Sequence, residues 1–95
     1  MPEEPIKKRL RRAKIAAEKI LNNPEGVAKI IFLDNHVFQI EAIRDKEIRK
    51  IRIVFDRFDE KDEMLVRNYK LPQNCTKEIW CRHKNGQFEL KTIIP

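Results

Sequence analysis

The sequence predicts an α/β domain, a mixed sheet of about five strands flanked by two helices in the order α-β-β-β-α-β-β. Three observations carry that expectation. An apolar stripe at helical spacing opens the chain, and β-rich runs separated by polar turns fill its middle. A second helical segment with a clear amino-terminal cap then divides the strands into a group of three and a group of two. At 95 residues the chain suits one domain and is too short for two, so 1–95 is read as a single unit.

The first helix is well punctuated. Glu3 and Glu4 suit the positive end of the helix dipole, and Pro5 suits the first helical position. Ile6, Leu10, Ala13, Ala17, Ile20 and Leu21 form the apolar stripe. Asn22-Asn23-Pro24-Glu25-Gly26 stops it, because proline cannot continue a helix and glycine accepts a left-handed turn. Away from the stripe lie Lys7, Lys8, Arg11, Arg12, Lys14 and Lys19, a basic face interrupted by Ile15 and Glu18.

Two β-rich runs follow, Val27 to Leu33 and His36 to Ile43, joined by Asp34-Asn35 as a hairpin. The first run is apolar on both faces and is expected inside the sheet. The charged turn Arg44-Asp45-Lys46-Glu47 leads into Ile48 to Phe55, where Ile51, Ile53 and Phe55 face one way. Lys50 and Arg52 face the other, as a basic outer row. Asp56 to Phe58 connects to a helix from Glu60 to Tyr69, capped by Asp59 and docked through Leu65, Val66 and Tyr69. Beyond Leu71-Pro72-Gln73-Asn74, a strand from about Thr76 to His83 turns at Asn85-Gly86 into a last strand, Phe88 to Ile93.

Charge narrows the function. Twenty-one Lys and Arg against fifteen Asp and Glu leave +6. A surplus that size on a small body favours phosphate binding with counterion release. Charged residues make up 38% of the chain, a composition in keeping with a thermophilic source. No apolar run approaches the roughly 18 residues a membrane span needs, and the amino terminus lacks a signal-peptide core. Residence in the cytoplasm, away from membranes, is the expectation.

Catalytic signatures are sparse. Gly26 and Gly86 are the only glycines, so there is neither a phosphate-cradling glycine-rich loop nor a nucleophile elbow. Cys75, Cys81 and His83, with His36 as a conceivable fourth, are spaced more loosely than structural zinc ligands, and buried reduced cysteines account for the same letters. No metal and no cofactor is therefore assigned. Glu41, in an otherwise apolar strand, reads either as an edge acid paired with a cation such as Arg44 or as a metal or proton ligand.

The element order and strand texture resemble the PD-(D/E)XK nuclease core of archaeal Holliday-junction resolvases and restriction endonucleases. Val27-Ala28-Lys29-Ile30-Ile31-Phe32 looks like its first strand, and Val37-Phe38-Gln39-Ile40-Glu41-Ala42-Ile43 like its second. Lys50-Ile51-Arg52-Ile53-Val54-Phe55 and Lys77-Glu78-Ile79-Trp80-Cys81-Arg82 resemble the remaining core strands. The family's motif places an Asp at the opening of the first strand and Glu-x-Lys at the close of the second. Glu41 matches the glutamate, Ile43 stands where the lysine belongs, and the aspartate position falls on Ala28 or Lys29. Asp34 and Glu18 are weak substitutes for the missing acid.

The resemblance thus implies a nuclease-like nucleic-acid-binding domain with a degenerate catalytic centre, its partner duplex or branched DNA. Lys7, Lys8, Arg11, Arg12, Lys14 and Lys19, with Arg44, Lys46, Lys50 and Arg52, are the expected phosphate contacts. One rival is an active Mg²⁺-dependent endonuclease or junction resolvase using Glu41. Another is a protein–protein module, a small regulator forming a homodimer through a sheet edge.

Overall fold

The computed structural model describes residues 5–22, 29–34 and 36–94. The expectations placed on Glu3 and Glu4, on the helix stop at 23–26, on Val27 and Ala28, and on Asn35 lie outside these residues. The described elements are α1 (Ile6–Leu21), β1 (Lys29–Phe32), β2 (Ile40–Arg44), β3 (Glu47–Phe55), α2 (Glu60–Asn68), β4 (Cys75–Arg82) and β5 (Phe88–Ile93). The fold is α/β with a five-stranded mixed sheet, as the order of elements predicts.

Strands lie in the sheet in sequence order. β1, β2 and β3 form an antiparallel meander, and β4 closes the sheet against β5 as an antiparallel hairpin. Only β3 and β4 are parallel. A parallel pair needs a crossover connection, and α2 supplies it. The helices cover opposite faces. Leu10, Ala13, Ala17 and Leu21 of α1 pack on Ile40, Ala42, Ile51, Ile53 and Trp80. On the other side Val66 of α2 meets Val54, Ile79 and Cys81, with Phe38 and Ile93 completing the layer. Trp80 is fully buried, with Phe88 edge-on at 5.4 Å between ring centroids. Burial of each such large side chain contributes roughly 1.5–3 kcal/mol.

α2 begins where its cap predicts. The Asp59 carboxylate accepts the Lys61 amide at 2.9 Å, satisfying one of the helix's orphan donors. Leu65, expected to dock this helix, is instead exposed, and Val66 and Tyr69 make the contact.

Several details correct the sequence reading. β1 is an edge strand, and its apolar residues do not mark a central position. Ile30 packs against the α1 layer, whereas Phe32 is 41% exposed. The segment after Leu33 is not a two-residue hairpin, because the second strand begins at Ile40 rather than His36. Gln39 ties this segment down through its side chain. Its side-chain amide donates to the His36 and Val37 carbonyls at 2.9 and 3.3 Å, and its oxygen accepts the Ile53 amide at 2.7 Å. β3, read as half-buried with a basic outer row, is the central strand and is covered on both sides. In α1 the interior stripe runs Leu10, Ala13, Lys14, Ala17, Leu21; Ile6 is 62% exposed and Ile20 lies outside it as well.

Candidate nucleic-acid interface

The carboxyl end of β3 and of its parallel neighbour β4 meets the start of α1. Arg9, on the flank of α1, stacks its guanidinium 4.5 Å from the Phe55 ring centroid and reaches Asp56 at 3.8 Å. Arg82, at the end of β4 and opposite Phe55 in the register, lies 4.8 Å over Phe88. The rings beneath both guanidiniums orient them, and Arg9 is paired with Asp56 as well.

The turn that follows fixes His83 and Lys84. The Gly86 amide donates to the His83 carbonyl at 2.9 Å, and the His83 amide to the Gln87 carbonyl at the same distance. Asn85 accepts the Gln87 amide through its side chain at 3.0 Å. Gly86 sits at φ +88°, where a side chain would be strained. His83 faces Glu89 at 3.0 Å, and Lys84 stands exposed at the tip. Arg9, Arg12, Arg82, His83 and Lys84 thereby surround an open cleft of about 290 Å³ whose described lining contains no carboxylate.

The predicted contacts divide into three groups. Lys7, Lys8, Arg11, Arg12 and Lys19 are exposed along α1, as read from sequence. Arg44 and Lys46 are exposed as well, but in the β2–β3 turn, where Asp45 and Glu47 alternate with them. Eight residues of extended β3 separate that turn from Phe55, a span of roughly 26 Å, so these two cations belong to a different end of the molecule.

Lys14, Lys50 and Arg52 are corrections. Lys14 is only 7% exposed, with its ammonium on the Leu33 carbonyl at 3.1 Å and on Asp34 at 3.3 Å. Its helical angle coincides with that of the apolar stripe, which removes it from the basic face. Lys50 bonds Glu41, directly opposite on β2. Arg52 bonds Asp62 of α2 and the Val37 carbonyl at 2.8 and 2.7 Å. Both are mostly covered, because the face read as a solvated outer row lies on the side of α2.

Arg9, Arg82, His83 and Lys84 escaped the sequence reading. Basic residues flanking Asn85-Gly86 were the visible signal, yet only the tertiary fold brings that turn to α1.

The nominated acids do not converge. Glu41 lies on the face of the sheet that α2 covers, since its neighbours Ile40 and Ala42 point to α1. Glu18 rides α1 on the opposite side, and Asp34 is drawn to Lys14. Among the described residues no three His, Cys, Asp or Glu side chains gather as a metal site. Cys75 and Cys81 lie at the two ends of β4, roughly 20 Å apart along an extended strand, so one zinc ion cannot join them. Burial pushes the Cys81 thiol pKa up, and both cysteines are free. His36 accepts the Phe38 amide at 3.1 Å and meets the Tyr69 hydroxyl at 3.2 Å, a packing role.

No helix among the described residues is long and apolar enough to cross a membrane. Compared with protein-family models, curated proteins and solved structures, the chain has no match.

Proposed function

We propose that this domain binds nucleic acid in the cytoplasm through its phosphate backbone, using the start of α1 and the β4–β5 turn as one contact face. The reading includes descent from a nuclease-like ancestor whose catalytic centre has degenerated. The observation that carries it is the convergence of Arg9 and Arg12 with Arg82, His83 and Lys84 around a cleft without carboxylates in its described lining. Cations from distant parts of the chain gather at one end, next to the exposed Lys8 and Arg11. The molecule's +6 charge draws polyanions toward it, and guanidiniums seated on aromatic rings lose little freedom on contact.

Such contacts position the duplex through its phosphates, which carry no base sequence. Affinity for duplex and four-way-junction DNA should fall steeply between low and moderate salt, with a log–log slope of about −0.9 per phosphate neutralised. Replacing Arg12→Glu together with Lys84→Glu should flatten that slope by about two and weaken binding at least tenfold. Circular dichroism checks the fold of the variant, because both positions are exposed. Fluorescence anisotropy at several salt concentrations is the measurement, and an affinity indifferent to salt or to the double reversal refutes the reading.

A further inference from the structure

A second cleft, of about 690 Å³, opens between the end of α2, the 69–73 connection, the start of β4 and the end of β5. Its walls are largely apolar, with Leu71, Ile93 and Ile94 prominent, and its charged lining is Arg67, Lys70 and Lys77, with no carboxylate among the described residues. That volume lies in the range of small-molecule sites.

Lys77 sets the chemistry. It is only 8% exposed, and its ammonium donates to the Arg67 carbonyl at 2.8 Å, at the last turn of α2. A helix carboxyl terminus carries about half a negative charge, so that bond leaves the ammonium incompletely compensated. Its cross-strand neighbour Lys50 takes the carboxylate of Glu41. The row across the sheet therefore runs Glu41, Lys50, Lys77, with the acid on the far side of Lys50, and the incompletely compensated Lys77 borders the cleft. An ammonium withdrawn from water without a counter-ion is costly, and an anion entering the cleft would offset that cost. One donor of Lys77 is already engaged, which leaves two for a single anionic head group.

We propose that this cleft binds a small amphiphilic monocarboxylate, its head on Lys77 and its apolar body along Leu71, Ile93 and Ile94. The site is separate from the basic face at the start of α1 and does not depend on the nucleic-acid reading. Cys75, half-buried, lines the cleft, whereas Cys81 is fully buried elsewhere in β4. The unmodified protein therefore carries its own probe.

Iodoacetamide labelling of Cys75, followed by mass spectrometry on the full chain, should slow at least fivefold when octanoate saturates the cleft. Acetate, which has the head without the body, should leave the rate unchanged. Octanol, which has the body without the charge, should bind at least tenfold more weakly than octanoate by calorimetry. Lys77→Met, which keeps the stem and removes the charge, should erase the preference for octanoate over octanol. Equal binding of octanoate and octanol to the wild-type protein overturns the proposal, as does a labelling rate indifferent to millimolar octanoate. Should Lys77→Met fail to fold, the wild-type comparison of octanoate, octanol and acetate still decides.

Discussion

Glu78 is a buried carboxylate in a sheet face otherwise packed against α1, and its partners explain how it is tolerated there. Arg49 donates to it through Nε and Nη2, each at 2.7 Å, and the Trp80 indole donates at 3.1 Å. The hydrogen bond to Glu78, helped by its negative charge, raises the Arg49 pKa against the opposing effect of burial. A forked pair with a third donor satisfies most of the carboxylate's acceptor capacity. Glu78→Gln should therefore destabilise the fold by about 1–3 kcal/mol, since it removes the charge that Arg49 answers and turns one acceptor into a donor. The readout is a lower urea midpoint with an unchanged denaturant slope. Lys14 poses the opposite case, a cation that looks like surface and is not. Lys14→Met keeps the buried stem, so the folded variant should bind DNA as tightly as the wild type; a tenfold loss in anisotropy measurements would return Lys14 to the contact face. Sorting α1 by residue type grouped Lys14 with the other cations, whereas its angle alone, shared with Leu10, Ala13, Ala17 and Leu21, places it indoors.

Among elements, those decided by local chemistry were legible in the sequence and those decided by distant partners were not. Asp59 before Glu60 is a cap whether or not the sheet exists, and Asn85-Gly86 makes its turn from the freedom of its own backbone. Asp59→Ala should cost about 1 kcal/mol, seen as a small drop in thermal midpoint without loss of the native spectrum. An unchanged midpoint would mean that packing of Val66 and Tyr69 alone fixes where α2 begins. The 33–39 connection was misread because its order comes from outside it. The Gln39 side chain accepts the amide of Ile53 on β3, and its backbone amide donates to the Ile51 carbonyl, contacts that no short window around Gln39 contains. Edge position was hidden for a similar reason. The apolar letters of β1 describe its own side chains, while the number of strands beside it is a property of the whole sheet. Half of the candidate interface shared that fate, since Arg82 and Lys84 acquire their meaning only when the β4–β5 turn meets α1.

For the molecule as a whole, the same three-layer arrangement that gathers cations at one end keeps the acids apart. Phosphodiester hydrolysis with Mg²⁺ or Mn²⁺ needs carboxylates that converge on the ion, because Mg²⁺ holds near-octahedral geometry and binds through carboxylates plus substrate phosphate. Glu41 lies on the α2 side of the sheet with Lys50 across from it, while Glu18 belongs to α1 on the other side, and the sheet itself stands between them. Asp34 is engaged by Lys14. Isoleucine at 43 leaves no ammonium two residues beyond Glu41, and the ammonium that does reach Glu41 ties up the carboxylate a metal would need. The expected result is that supercoiled, linear and four-way-junction DNA all remain uncut with either metal, at protein concentrations that bind them fully. Glu41→Gln should then change stability rather than chemistry, because it leaves the mostly covered Lys50 without its counter-ion, a loss of about 1–3 kcal/mol. Metal-dependent cutting by the wild type that vanishes in a folded Glu41→Gln protein would reverse this conclusion, since it would require the ion pair with Lys50 to open and a second acid to reach the α2 side of the sheet.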